Sequence, residues 1–107
     1  MTVINVFRQA GAAVGISVSG HSGYAPEGDD IVCAAVSVLV QTLKIGLDDV
    51  LHVSSTASVD PDKAIIKLRW QNDGSKEVSA VVETIIRALR ETASSYDNYV
   101  NYSEVSL

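Results

Sequence analysis

Two side chains in this sequence stand where they could do covalent chemistry together: His21 and Cys33, the second being the only cysteine in the chain. A thiol becomes a strong nucleophile only as the thiolate. A neutral imidazole within hydrogen-bond reach takes the proton, and the resulting imidazolium keeps the sulfur charged. Such a pair attacks a carbonyl carbon, so the chemistry it offers is acyl transfer, such as peptide hydrolysis through an acyl-enzyme. By residue type alone a solitary cysteine is usually a buried, inert small hydrophobe. Position therefore has to decide.

From Asp30 to Ile45 nearly every residue is apolar or small, which predicts a helix buried on most of its circumference. The exceptions are Asp30, Cys33, Ser37, Gln41, Thr42 and Lys44, and all but Thr42 are spaced 3, 4, 4 and 3. That spacing draws one polar stripe, with Cys33 on it although apolar positions were available to hide a thiol. Cys33 also falls within the first turn and a half, where the partial positive charge of a helix N-terminus favours a thiolate. Asp29 and Asp30 oppose that charge, so they must cap backbone N–H groups or point away. Backbone N–H groups at the helix start are candidates for holding an oxyanion. Ser37, one turn after Cys33, is a candidate supporting residue, and it equally suits close helix packing.

His21 follows a strand at the mouth of the loop that leads to this helix, where strand end and helix start can meet. A loop histidine capping a backbone group is the plainer reading, and the residues alone leave both open. His52, within Leu51-His52-Val53, reads as a solvent-facing strand residue. The segment between base and nucleophile is rich in hinge residues (Ser22, Gly23, Tyr24, Pro26 and Gly28), so its closure could gate the site; an ordinary turn-rich loop is the alternative. A metal site built from His21, Asp29 or Asp30, and Cys33 is a weaker option, since capping accounts for the carboxylates. No metal and no cofactor are expected.

The elements that must position these residues follow from periodicity. Thr2–Arg8 reads as a strand, and Ala13–Ser19 alternates Val14, Ile16 and Val18 against small residues, giving a hairpin around Gly11. Gly20–Asp29 is loop. Asp29 or Gly28 is expected to cap the first helix and Gly46 to stop it near Ile45. Leu51–Thr56 and Ala64–Trp70 read as two more strands. Asn72–Ser75 turns into a second helix with Val78, Val81, Val82, Ile85, Ile86 and Leu89 on one face. Tyr99–Leu107 alternates weakly and is offered as a last strand. The expectation is one α+β domain over residues 1–107, in the order β-β-α-β-β-α-(β), with a mainly antiparallel sheet and two helices.

Composition sets outer bounds. The chain has 107 residues, 47% of them hydrophobic and 20% charged, enough to close one modest core. A formal charge of −5 argues against direct nucleic-acid binding, which needs a basic face, and is compatible with a basic protein partner. A single thiol fits a reducing cytosol. Met1–Arg8 lacks the features of a signal peptide, and the apolar run Ile31–Val40 is too short to span a bilayer, so a cytoplasmic protein without a membrane partner is expected.

The run Gly20-His21-Ser22-Gly23-Tyr24-Ala25, followed by Gly28-Asp29-Asp30-Ile31-Val32-Cys33-Ala34-Ala35-Val36-Ser37, resembles the signature of the ribosomal-processing cysteine proteases, the Prp family. Eleven residues separate His21 from Cys33. The resemblance implies a homodimeric bacterial α+β endopeptidase with His21 and Cys33 as its catalytic pair. It further implies removal of the N-terminal extension from the precursor of large-subunit ribosomal protein twenty-seven, a basic substrate, after an aromatic residue. The competing reading is a non-catalytic adaptor that binds an assembling ribosomal protein and uses Cys33 only for packing.

Overall fold

The computed structural model describes residues 1–26 and 30–107. Its elements are β1 (Thr2–Gln9), β2 (Ala12–Ser19), α1 (Ile31–Ile45), β3 (Ser55–Asp60), β4 (Ile65–Trp70), α2 (Lys76–Ser95) and β5 (Val100–Ser106). The five strands form one sheet in the order β3-β4-β2-β1-β5. All neighbours are antiparallel except β1 and β5, which run parallel. The expected α+β architecture and element order are those observed, and the weakly alternating last segment is a strand on the outer side of β1.

Alternation explains the layering. Ile4, Val6, Ile16 and Leu68 point to the face that both helices cover, and each is almost fully buried. From α1 the row Val32, Val36, Val40 and Leu43 enters the same core, and from α2 Val78, Val82, Ile85, Ile86, Leu89 and Ala93. The β1–β2 turn is made by Ala10 and Gly11, both at positive φ, as a two-residue hairpin requires. The alternation read through Val14 is broken: Phe7 pairs with Gly15 and Arg8 with Ala13, so Val14 is an extra residue in a bulge. Ala13 takes the core position in its place.

Two helix expectations are corrected. First, α1 buries one face only: Ile31, Ala34, Ala35, Val38 and Ile45 are exposed. Second, Gly46 does not stop the helix. It keeps right-handed helical angles, and the chain continues through a π-helical turn, Gly46–Val50, closed by Leu51 N–H donating to the Gly46 carbonyl at 2.9 Å. Ile31–Val50 is thus one continuous 20-residue stretch, long and apolar enough to cross a membrane by length and composition, contrary to the shorter run read from sequence. Here its inner row is packed into the domain core, and it carries Lys44, Asp48 and Asp49.

The continuation displaces the third strand from the expected Leu51–Thr56 to Ser55–Asp60. Asp48 accepts hydrogen bonds from Ser55 N–H (3.0 Å) and Ser55 Oγ (2.7 Å) and pairs with Lys44 Nζ at 2.6 Å, which ties the strand start to the helix. Leu51–Ser54 is a connection, and His52 lies in it exposed and at positive φ rather than in a strand.

Glycine at 46 serves packing, not termination. A Cβ there would sit 2.7 Å from Val81 Cγ1 on α2, closer than carbon atoms tolerate. Gly46→Ala gains about 1 kcal/mol of helix propensity but overpacks the helix contact, at about 1–3 kcal/mol. We expect urea melts to show net destabilisation in the parent chain, and neutrality or a gain in a Val81→Ala background. Stabilisation of the parent would mean that the helices are not in contact here.

Candidate active site

The site is assembled where β1 begins, β2 ends and α1 begins. Gly20 closes β2 at positive φ, and a Cβ on it would run into the Met1 carbonyl oxygen. Glycine therefore lets the end of β2 approach the start of β1, and this sets where His21 leaves the sheet. On the neighbouring strand Thr2 is buried, with its Oγ1 3.9 Å from Cys33 Sγ. Cys33 itself is half-buried in the first turn of α1.

Asp30 is the N-cap of α1, in extended conformation, in place of the Gly28 or Asp29 expected for that role; both of those lie outside the described residues. Its Oδ1 accepts from Val32 N–H (3.0 Å) and Cys33 N–H (2.9 Å), which satisfies two of the helix's unpaired first-turn donors. Its other oxygen, Oδ2, accepts from the Ser22 hydroxyl. Ser22 Oγ in turn accepts from Tyr24 N–H at 3.1 Å, and Ser22 N–H donates to Cys33 Sγ at 3.3 Å. One carboxylate thus joins the segment carrying His21 to the helix carrying Cys33. The Ser22 hydroxyl, followed by the Cys33 N–H, holds the Asp30 carboxyl below its ordinary range, against the smaller opposing effect of burial.

The same bonds correct the expectation that first-turn N–H groups hold an oxyanion. Val32 and Cys33 N–H are taken by Asp30 Oδ1, and Ala34 N–H donates to the Asp30 carbonyl at 3.1 Å. An anion there would have to displace a carboxylate already in place.

His21 and Cys33 line one cavity of about 570 Å³, within the range of ligand sites. Ser37, Gly23, Ala25 and Asp30 line it too, and the far wall is formed by Val18, Val59, Asp60, Pro61, Ala64, Ile65 and Ile66. His21 is solvent-exposed. His52 is not among the lining residues. Of the segment read as a gate, Ser22 is buried against Asp30 and Cys33. Tyr24 packs edge-on against Tyr96 and Tyr99, with ring centres 5.8 and 5.2 Å away. Gly23 and Pro26 are exposed, and Gly28 lies outside the described residues. For the metal reading, Asp30 is engaged as a cap, and among the described residues no three His, Cys, Asp or Glu side chains converge.

Thr2, the Ser22–Asp30 bond and the Tyr96–Tyr99 pair were not anticipated. Only Asp30 carried a signal, as an N-cap type three residues before Cys33. The others depend on strand pairing and chain reversal, which no local pattern encodes.

The family model for cysteine protease Prp matches residues 1–101. No match was found among curated protein sequences. Among solved structures, the SMU.848 protein of Streptococcus mutans superposes with a TM-score of 0.88 at 23% identity, covering 100% of this chain and 96% of its own. The ribosomal processing protease Prp of S. aureus, in complex with a substrate peptide, gives 0.84 at 15% identity, covering 98% and 100%. The same S. aureus protein with a covalently linked product peptide gives 0.82 at 16%, again covering 98% and 100%. At these identities the superpositions establish a common fold.

The Asp30 contacts generate a pH-dependent expectation. A carboxyl with a depressed folded-state pKa stabilises the fold in full above its unfolded value, ordinarily 3.8, and the contribution is lost as pH falls through the lower folded value. Asp30→Ala should therefore lower Tm at pH 7, and the gap from the parent should shrink as the pH is taken below 3. A gap of constant size down to pH 2 would show that the ionised carboxylate is not what holds the helix start.

Proposed function

Because this chain belongs to the cysteine protease Prp family, we propose that Cys33 is its nucleophile, His21 its general base, and the N-terminal extension of a ribosomal protein precursor its substrate. The observation that carries the dyad is the cavity lined by both residues, Cys33 half-buried and His21 exposed. In this reading His21 withdraws the thiol proton and the thiolate attacks the scissile carbonyl. The imidazolium then protonates the leaving amine, and water hydrolyses the acyl-enzyme. Ser22 N–H and the Thr2 hydroxyl are placed to stabilise the charged sulfur. Family membership favours this reading over the adaptor.

The substrate assignment draws on the S. aureus relative, a ribosomal processing protease crystallised with substrate and product peptides. For this chain we infer the precursor of large-subunit ribosomal protein twenty-seven, cut after an aromatic residue, in the bacterial cytosol. A protein of charge −5 attracts such a basic precursor. Of the segment read as a gate, Gly23 to Pro26 is proposed to move as the peptide enters, while Ser22 stays bound to Asp30 and to the sulfur. Ser37, on the cavity wall, is assigned a supporting place beside the thiol.

A homodimer is proposed through α1. Ile31, Val38 and Ile45, exposed by 56%, 59% and 54%, recur every seventh residue and form one apolar stripe with Ala34 and Ala35. A second copy of the chain would cover it. Sedimentation should give a dimer for the parent and a monomer for Val38→Glu; a monomeric parent would overturn this assignment.

Incubation with the precursor, followed by intact-mass measurement, tests the activity. The parent should remove the extension. Cys33→Ala should abolish cleavage, and His21→Ala should slow it at least about a hundredfold. Near-parental cleavage by either variant would refute the dyad.

A further inference from the structure

Burial falls steadily along one row of side chains that crosses the sheet beneath the cavity. Ile4 on β1 pairs with Val18 on β2, Val18 with Ile66 on β4, and Ile66 with Val59 on β3. Ile4 is 0% exposed and Val18 8%, whereas Ile66 is half-buried and Val59 is 64% exposed. The helices therefore cover β1, β2 and the Leu68 part of β4, and leave an apolar ledge over the Ile66 end of β4 and Val59 of β3. Val18, Ile66 and Val59 all line the cavity that holds Cys33. Asp60, next after Val59 and the last residue of β3, lines it as well, with its Oδ1 accepting from Lys63 N–H in the turn that follows. Among the described residues no lysine or arginine lines the cavity, and of the two carboxylates that line it Asp30 is occupied by the helix cap and Ser22.

From β1, where Thr2 meets Cys33, to β3 is three strand spacings, about 14 Å. An extended peptide covers that span with about four residues. We propose that the substrate lies across the strands over this ledge, with bulky apolar side chains on Val18, Ile66 and Val59. A basic side chain about three to four residues from the scissile bond then pairs with Asp60, which acts as a specificity-determining residue. The ledge gives the apolar preference by burial, and Asp60 gives charge selection at its outer end: a lysine or arginine is drawn in, and an acidic residue is repelled. This rests on the proposed protease reading and adds which substrate positions are read and by which residues.

The test uses the intact protein and a series of quenched-fluorescence peptides based on the cleaved extension. A single Lys, Glu or Gln is placed in turn at each of the four positions on either side of the scissile bond. In the parent, one position three or four residues from the bond should favour Lys over Glu by roughly tenfold in kcat/KM at low salt, less at 0.5 M NaCl. Asp60→Asn keeps the oxygen that accepts from Lys63 N–H (3.2 Å) and should flatten the preference to within about twofold. Asp60→Lys should reverse it, each preference being taken as the Lys-to-Glu ratio within one variant. Val59→Asp should lower kcat/KM for the bulky apolar peptide severalfold. A Lys preference unchanged in Asp60→Lys, or no preference at any position while the parent cleaves, would overturn the proposal and leave the dyad standing. If the parent cleaves none of the peptides, nor the full precursor, the underlying protease reading fails instead.

Discussion

The carboxylate of Asp30 occupies the point where two demands on this structure meet. A helix that starts beside a nucleophile leaves unpaired N–H groups, and Asp30 Oδ1 satisfies those of Val32 and Cys33. Its second oxygen holds the Ser22 hydroxyl, and Ser22 is the residue after His21. Helix start and loop start are thus held by one ionised group, and the relative placement of sulfur and imidazole depends on it. This arrangement has an electrostatic consequence. The helix N-terminus, which by itself would favour a thiolate, is partly neutralised by the cap. Stabilisation of the sulfur then falls to the Ser22 N–H, the Thr2 hydroxyl and the histidine, all outside α1.

The sheet contributes in a different way. Its two helices bury the middle strands but leave Ile66 at one end of β4 and Val59 on β3 less covered on the same side, so the cavity lining passes from core to surface. A fold with a third helix over that end would be more fully buried and would have no groove. The exposed apolar stripe of α1 lies on the neighbouring helix surface, with Ala34 common to stripe and cavity wall.

Much of this was legible in the residues. The amphipathic face of α2, the β1–β2 hairpin and the polar stripe of α1 are local periodicities, and they map onto the structure with boundaries close to those expected. His21 and Cys33 sit in one cavity because a strand end and the next helix start are neighbours in space, which their order in the chain already suggested. What escaped was non-local. Gly46 looks like a stop signal, yet its lack of a Cβ answers to Val81, 35 positions away in sequence but in contact. The π-helical turn then moved β3 by several residues and took His52 out of any strand. The burial of α1 was overestimated because an apolar face reads the same whether it meets its own core or another molecule. Thr2 escaped because its neighbour Cys33 is brought to it by the sheet, not by the chain.

The parallel pairing of β1 with β5 bears on how the protein comes into being. β1 lies inside the sheet, and one of its two neighbours is supplied by residues 98 positions downstream. The hairpin with β2, and then β4 and β3, can assemble from nearer segments, whereas β5 must wait for α2 to cross over. During synthesis β1 therefore presents a bare hydrogen-bonding edge until nearly the whole chain has emerged, and high contact order of this kind slows folding. The clasp of Arg8 with Glu104 (2.8 Å) and Glu83 (2.9 Å) joins β1, β5 and α2, so it can form only in the last stage of that assembly.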